Sequence, residues 1–196
     1  QAAVGCDAII AAWNPAYPDW EKQVLNLHAQ VIAAAQASGA DVIVPSNIYV
    51  YGRESPSFIK ETTPHAAGNP LALVRKDMER AYKESGLRVL FLRAGDFIDT
   101  EASGNWFDQV LTKSLDKGQL TYPGKPDIPH AWAYLPDLAR AAVKLIERPD
   151  RPAGFEDVLY PGYTLSGNEI AHALEATRGR SIRVQKMKWF PLQLAV

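Results

Sequence analysis

A continuously apolar segment, DVIVPS at residues 41–46, stands between a predicted helix and a polar loop in this chain. An earlier apolar run, CDAIIAA at residues 6–12, precedes the same helix, which the spacing of its apolar residues predicts at residues 19–38. Strands that are buried on both faces of a parallel sheet have such uninterrupted apolar runs. The order strand, helix, strand therefore predicts part of a parallel α/β sheet.

The sequence has no glycine-rich turn of the kind that binds phosphate in parallel nucleotide-binding sheets. Such folds normally place G-x-G-x-x-G after their first strand, yet none of the 13 glycines forms this pattern or G-x-x-G-x-x-G. We therefore expect the chain to correspond to the latter part of a nucleotide-binding fold, without the part that binds phosphate.

Helices and strands continue to alternate along the rest of the chain. Apolar spacing predicts helices at 70–85, 105–117, 135–148 and 166–179, and extended segments at 87–92, 120–122, 155–160 and 181–186. Asp19 is the predicted N-cap of the helix at 19–38, and Gly39 is its predicted C-terminal glycine. Ser166 and Glu169 form a predicted capping box. This alternation favours the α/β class.

Charge and composition narrow the classes of partner. With a formal net charge of -1 and a pI of 6.5, the chain lacks the broad positive charge of a nucleic-acid-binding protein. No apolar stretch approaches the roughly 20 residues that span a bilayer, and the first residues lack a signal-peptide pattern. The lone Cys6 cannot form an internal disulfide, which is typical of a reducing cytoplasm. We expect a small-molecule partner and neither a nucleic acid nor a membrane.

Five segments carry a resemblance to a known family, namely DAIIAAWNP (7–15), VIVPSNIYVYG (42–52), RKDMER (75–80), LFLRAGDF (90–97) and WAYLPDLARA (132–141). Together they resemble the extended short-chain dehydrogenases/reductases, and more closely the proteins called NAD-dependent epimerase/dehydratases. The resemblance implies a Rossmann-like doubly wound parallel sheet whose first two βα units are absent from this chain. It also implies a small C-terminal α/β substrate lobe.

Further expectations follow from the same resemblance. The domains would be residues 1–118, the latter part of the dinucleotide-binding domain, and residues 119–196, mainly the substrate lobe, with the helix at 135–148 packing back on the sheet. The complete protein would bind NAD or NADP. A homodimer would form through the helices at 20–38 and 70–85.

The reaction of this family rests on a Ser or Thr, a Tyr, and a Lys four positions after that Tyr. By resemblance, Ser46 and Asn47 fall at the serine position, Leu71 at the tyrosine position and Arg75 at the lysine position. A leucine cannot transfer a proton, and a guanidinium stays protonated at neutral pH. Three interpretations stay open: an oxidoreductase, epimerase or dehydratase of a small carbonyl or hydroxyl compound, a non-catalytic dinucleotide-binding sensor, and an inactive fragment of an enzyme.

The catalytic candidates lie where predicted strands end. Tyr49 is the better substitute for the missing acid/base tyrosine, because Tyr51 matches a structural Tyr-Gly pair of the family. Aromatic packing under the next loop is the alternative for both tyrosines. Asp96 is a candidate general base or acceptor for a substrate hydroxyl, with a turn cap as the alternative. Ser46 or Asn47 would orient the substrate oxygen.

Cofactor and substrate candidates also fall at strand ends. The resemblance implies that the cofactor is contacted by Ala12, Trp13, Asn14, Arg75, Ala94 and Gly95, and the candidates for substrate contact are Phe97, Trp106, His130 and Trp132. Aromatic side chains suit an apolar carbonyl compound or a sugar ring, although ordinary core packing also explains them. The remaining histidines, His28, His65 and His172, have no metal-ligand spacing, so the sequence predicts no metal site.

Overall fold

A computed structural model describes residues 2–188, which form nine β-strands and four α-helices. The strands are β1 (Ala8–Ile10), β2 (Asp41–Ser46), β3 (Val89–Arg93), β4 (Asp96–Ile98), β5 (Gln119–Tyr122), β6 (His130–Tyr134), β7 (Phe155–Leu159), β8 (Tyr163–Leu165) and β9 (Arg183–Lys186). The helices are α1 (Trp20–Ser38), α2 (Pro70–Glu84), α3 (Leu135–Glu147) and α4 (Gly167–Arg178). None of these described helices has the length and apolar character needed to cross a membrane.

Four parallel strands form the largest sheet, in the order β1, β2, β3, β7. Val42 of β2 pairs with Val89 of β3, which pairs in turn with Phe155 of β7. All five residues of β3 are buried, so its apolar run reflects burial on both faces. The predicted α/β class with a parallel sheet is confirmed.

Helix α1 packs against α2 and buries one face. The buried residues recur at helical spacing and are Trp20, Val24, His28 and Ala35. As predicted, the helix ends at Gly39, whose φ of 75° is left-handed. Asp19 occupies the N-cap position as predicted, but it belongs to a 3₁₀ turn that runs directly into α1 and its side chain makes no capping hydrogen bond. The homodimer through α1 and α2 stays a prediction.

Two smaller sheets contain the remaining strands. Strand β6 pairs in parallel with β4 and antiparallel with β8, and β5 pairs in parallel with β9. Helix α4 opens with the predicted capping box, in which the N–H of Glu169 donates to Ser166 Oγ and the N–H of Ser166 donates to Glu169 Oε2. A second hydrophobic core, which includes Leu120, Trp132 and Ile170, lies among these elements.

The continuous helix predicted at 105–117 is wrong. The structure has a π-helical turn at Phe107–Leu111 and a 3₁₀ turn at Leu115–Lys117 instead. The backbone N–H and the hydroxyl of Thr112 both donate to the carbonyl of Phe107, at 2.9 and 2.8 Å. This side-chain competition for a backbone acceptor ends the first turn, and Gly118, with a φ of 68°, ends the second.

The described chain falls into two compact units that alternate along the sequence. The first unit comprises residues 2–93 and 141–159 and contains the four-stranded sheet. The second unit comprises residues 94–140 and 160–188 and contains the two smaller sheets. Helix α3 begins in the second unit and continues into the first.

The functional division at residue 118 remains a prediction. Compactness groups residues 94–118 with the second unit, whereas the sequence interpretation assigned them to the dinucleotide-binding domain. The difference arises because β4 pairs with β6, so the chain after Arg93 adds to a new sheet.

Candidate active site

Ser46 and Arg75 meet at the carboxyl end of β2, in the first unit. The Nη2 group of Arg75 donates to Ser46 Oγ at 3.3 Å, and both side chains are buried. The indole of Trp20 lies 5.5 Å from the guanidinium carbon of Arg75. Burial lowers the pKa of Arg75 below its usual value, although the nearby Glu79 opposes this. Arg75 is therefore a buried cation in contact with Ser46.

Two tyrosines lie beside this pair. The hydroxyl oxygens of Tyr17 and Tyr49 are 2.7 Å apart, so one donates to the other. The Tyr49 ring stacks on Trp20 with 5.9 Å between centroids, and its phenol acts electrostatically on Arg75. Tyr49 is 37% exposed. We refer to Tyr17, Trp20, Ser46, Tyr49 and Arg75 as the Trp20 cluster.

Asn47 positions Tyr49. Its Oδ1 accepts the backbone N–H of Tyr49 at 3.1 Å, and its carbonyl accepts a hydrogen bond from Arg93 Nη1 at 3.0 Å. The amide side chain therefore forms a local turn of the kind common for asparagine. The role of Asn47 in orienting a substrate stays a prediction.

A buried ionic group closes the carboxyl end of β3. Arg93 donates two hydrogen bonds to Glu79, at 2.9 and 2.8 Å, and two to Asp157, at 2.6 and 2.7 Å. Burial opposes the charge of Arg93, but these hydrogen bonds outweigh it and raise the pKa of the guanidinium. The Tyr51 ring lies 5.7 Å from the Arg93 guanidinium carbon. We refer to Glu79, Arg93 and Asp157 as the Arg93 cluster.

Metal ligation at the Arg93 cluster would require displacement of a cation. His65, Glu79 and Asp157 offer ligand atoms within 4.8 Å of one another. However, both carboxylates already share the positive charge of Arg93 through bidentate contacts. The arrangement is therefore that of a structural ion cluster.

The predicted cofactor residues after β1 are accessible. Ala12, Trp13 and Asn14 are exposed, and the Trp13 ring lies 4.9 Å from the imidazole of His28. An exposed amide can both donate and accept hydrogen bonds, and the contact of these residues with a cofactor stays a prediction. No glycine-rich turn for the diphosphate is present in the sequence.

His28 is a buried titratable group that the sequence interpretation did not single out. Its Nδ1 lies 2.8 Å from the Tyr82 hydroxyl, and its Nε2 has no hydrogen-bond partner within residues 2–188. Burial, with a smaller contribution from Arg75, lowers the pKa of His28 to about 4. The helical spacing from Trp20 and Val24 was the available signal for its burial.

The second unit brings Asp96 and His130 together. Asp96 Oδ2 lies 3.0 Å from His130 Nε2, and the His130 ring stacks on Trp132 with 4.5 Å between centroids. All three residues are candidates predicted from the sequence, but their pairing was not predicted. Trp132 itself is buried.

The other candidates in the second unit have mainly structural surroundings. Ala94 is buried, and Phe97 and Trp106 are partly buried, Trp106 against the hydrophobic core that contains Trp132. A Cβ on Gly95 would lie 2.0 Å from the carbonyl oxygen of Ala131, so only glycine fits between β4 and β6. Their contacts with cofactor or substrate stay predictions.

Comparisons with known proteins identify solved structures only, since no protein-family model and no curated protein matches the chain. L-threonine dehydrogenase from Phytophthora infestans has a TM-score of 0.75 and 19% identity, with 96% of this chain and 67% of that chain covered. UDP-glucuronic acid 4-epimerase from Bacillus cereus, in complex with UDP-4-deoxy-4-fluoro-glucuronic acid and NAD, has a TM-score of 0.75 and 19% identity, with 95% and 64% covered.

A third match has the same character. The dTDP-glucose 4,6-dehydratase DesIV from Streptomyces venezuelae, with NAD and TYD bound, has a TM-score of 0.70 and 19% identity, with 96% of this chain and 63% of that chain covered. At such identities the likeness concerns the fold. The chain spans about two thirds of the length of these structures.

Proposed function

We propose that this chain, which has the Rossmann-type fold shared by L-threonine dehydrogenases and NAD-dependent epimerases and dehydratases, is part of an enzyme of that general kind. The substrate would be a small carbonyl or hydroxyl compound, sugar-like compounds included. The observation that carries the proposal is the hydrogen bond from Arg75 to Ser46. It joins the two positions that the sequence resemblance assigns to the catalytic lysine and serine.

The cofactor in the proposal is NAD or NADP, which accepts or donates a hydride when bound. Several of the matched structures are described as NAD complexes. In this chain, Asn14 would hydrogen-bond the ribose or the carboxamide, and the Trp13 indole would cover an apolar face. Arg75 is buried and engaged with Ser46, so it contributes charge from below the site.

The Trp20 cluster would handle the proton. Ser46 would donate to the substrate oxygen, with its hydroxyl oriented by Arg75. Tyr49 would exchange the proton with that oxygen, and Tyr17 would relay it to solvent through the 2.7 Å contact between the two phenols. The buried charge of Arg75 would stabilise negative charge on Tyr49 in the transition state. Leu71, at the tyrosine position of the family, packs against the hydrophobic core and takes no part.

The test uses the complete open reading frame and this 196-residue chain. NADH and NADPH binding is followed by cofactor fluorescence, and turnover is followed by nicotinamide absorbance and by NMR of the products. L-threonine, UDP-glucuronic acid and dTDP-glucose serve as probes, because the matched proteins are named for them. Tyr49→Phe is expected to lower turnover by about 10²–10⁴-fold while cofactor affinity stays within about twofold.

Tyr163→Phe is the matched control. Tyr163 is also an exposed tyrosine, its hydroxyl donates a 3.3 Å hydrogen bond to Asp137, and its variant should turn over at the wild-type rate. Retained turnover in Tyr49→Phe would eliminate Tyr49 as the acid/base. Failure of the complete protein to bind either nucleotide would refute the dinucleotide proposal itself.

A non-catalytic dinucleotide sensor is the second candidate. Leu71 and Arg75 in place of an acid/base pair favour it. It predicts cofactor binding without hydride exchange to any probe. The same experiment therefore separates the two functions.

A further inference from the structure

Strand pairing in the second unit brings Asp96 and His130 into contact. In the register of β4 and β6, Asp96 stands opposite Trp132. His130 lies two residues before Trp132, and side chains two residues apart share one face of a strand. The diagonal arrangement gives the 3.0 Å contact between Asp96 Oδ2 and His130 Nε2.

The orientation of the His130 ring is fixed from below. The ring stacks on Trp132 at an interplanar angle of 23°. Trp132 is fully buried, and its Nε1 donates to the carbonyl of Leu165 at 3.1 Å. The ring of Phe107 meets the indole edge-on with 6.0 Å between centroids. The Trp132 indole that supports the imidazole therefore has little freedom to move.

The neighbouring carboxylate determines which nitrogen of His130 is the free one. Asp96 Oδ2 lies 3.0 Å from Nε2, and a negative charge at that distance favours an N–H over a lone pair, so the neutral ring carries its proton on Nε2. In a neutral imidazole the other nitrogen, Nδ1, is then an acceptor. No hydrogen-bond partner of Nδ1 is found within residues 2–188, and the side chain is 32% exposed. A positioned, accessible base results, with its orienting carboxylate behind it.

We propose that His130 is a catalytic base that removes a proton from carbon next to the carbonyl group of a small uncharged hydroxyketone, with Asp96 as its positioning residue. The C–H bond breaks and its proton moves to Nδ1. The electron pair forms a carbon–carbon double bond, and the carbonyl π pair moves to oxygen, giving an enediolate. Return of a proton from the imidazolium to carbon completes the cycle, so no oxidant or reductant is consumed.

Charge defines the substrate class. The Asp96 carboxylate disfavours an anionic substrate at this place, because like charges repel. Stability offers little alternative reason for the pair, since a partly exposed ion pair contributes little to the free energy of folding. The inference rests on the proposed function only for the carbonyl class of the substrate.

The experiment measures exchange of the methylene protons of hydroxyacetone in D₂O by proton NMR, with the folded complete protein and no nucleotide. Wild type is expected to show saturable exchange. His130→Gln should lower the maximal rate by about 100-fold. Asp96→Asn should lower the maximal rate by about tenfold, with unchanged half-saturation, because it disturbs the tautomer rather than the binding site.

His172→Gln is the matched control. His172 also faces a carboxylate of the second unit, Glu175 at 3.9 Å, but it is exposed and stacks on none of the aromatic rings in the described part of the chain. Its variant should exchange at the wild-type rate, and near-ultraviolet circular dichroism confirms that each variant is folded. Three results would each overturn the proposal. His130→Gln could exchange at the wild-type rate, His172→Gln could lose as much activity as His130→Gln, or the wild-type rate could fail to saturate with hydroxyacetone. Exchange without nucleotide-dependent turnover would refute only the proposed function, and turnover without exchange only this inference.

Discussion

The Arg93 cluster in the first unit and the Asp96–His130 pair in the second unit join the same kinds of group in opposite ways. Arg93 is fully buried and binds two carboxylates, one at each of two edges of its guanidinium. His130 is half-buried, has one carboxylate partner and keeps one ring nitrogen without a described partner. In the Arg93 cluster every guanidinium N–H already has an acceptor. In the Asp96–His130 pair one ring nitrogen can still bind another molecule.

The difference separates a group of residues that stabilises the fold from a pair of residues that can react with a ligand. A buried ion cluster whose donors are all engaged links α2, β3 and β7 and has nothing to offer a ligand. A half-exposed pair adds little stability and leaves an acceptor at the surface. Three changes test this contrast, in decreasing order of expected effect.

Removing Arg93 should be the most damaging change. Arg93→Met leaves Glu79, which is 2% exposed, and Asp157 without a cation, and breaking a buried pair in this way costs about 3–5 kcal/mol. The free energy of unfolding is measured by urea denaturation. Arg53→Met, which removes an exposed pair with Glu54, should change it by less than about 0.5 kcal/mol. Equal effects of the two changes on the free energy of unfolding would contradict the conclusion that the Arg93 cluster stabilises the fold.

His28 differs from His130 in one respect: its ring nitrogen without a described partner is buried instead of exposed. Its pKa is about 4 in the folded protein and 6.5 as an unperturbed group. As pH falls from 6.5 towards 4, the unfolded chain binds a proton that the folded chain does not. The free energy of unfolding should therefore decrease by about 3 kcal/mol across this window and be fully retained above it.

The measurement compares denaturation at several pH values for wild type and His28→Leu. The variant should lack this part of the pH dependence, and His172→Gln should keep it. Burial raises the pKa of the partner Tyr82, so Tyr82 stays protonated and adds no slope. Identical slopes for wild type and His28→Leu would show that His28 is charged or accessible in the fold.

Gly95→Ala should have the smallest effect on stability but should disturb the Asp96–His130 pair. The new Cβ would lie 2.0 Å from the carbonyl of Ala131, so β4 and β6 must separate. Forcing a methyl group into a packed site costs about 1–3 kcal/mol. Gly124→Ala, where a Cβ meets nothing within 4 Å, should cost nothing. If the expected loss were absent from thermal denaturation of Gly95→Ala, the tight pairing of these strands would be wrong.

Sequence patterns predicted the elements that local chemistry determines. The helix α1 ends at Gly39, and the capping box opens α4, because each feature depends on residues within one turn. The long apolar strands of the first unit were predictable for the same reason. The end of the helical turn at Thr112 was not predictable, because the Thr112 hydroxyl competes for a backbone carbonyl that a helix would use.

The candidate sites depended on contacts that no local pattern encodes. The resemblance alone placed Arg75 and Ser46 at paired positions, and spacing gave no sign of their hydrogen bond. The pairing of Asp96 with His130 follows from the register of two short strands, whose few residues carry too little periodicity to reveal it. His28 could have been recognised from the helical spacing of its buried neighbours.

The alternation of the two units along the chain has a consequence for synthesis on the ribosome. Strand β7, the last member of the four-stranded sheet, begins only at Phe155, after residues 94–140 and α3 have emerged. Until then the nascent protein displays β3 as an unpaired edge, and Arg93 has met Glu79 but not Asp157. Completion of this sheet therefore waits for β7, and an unpaired strand edge of this kind is open to pairing with other chains during the interval.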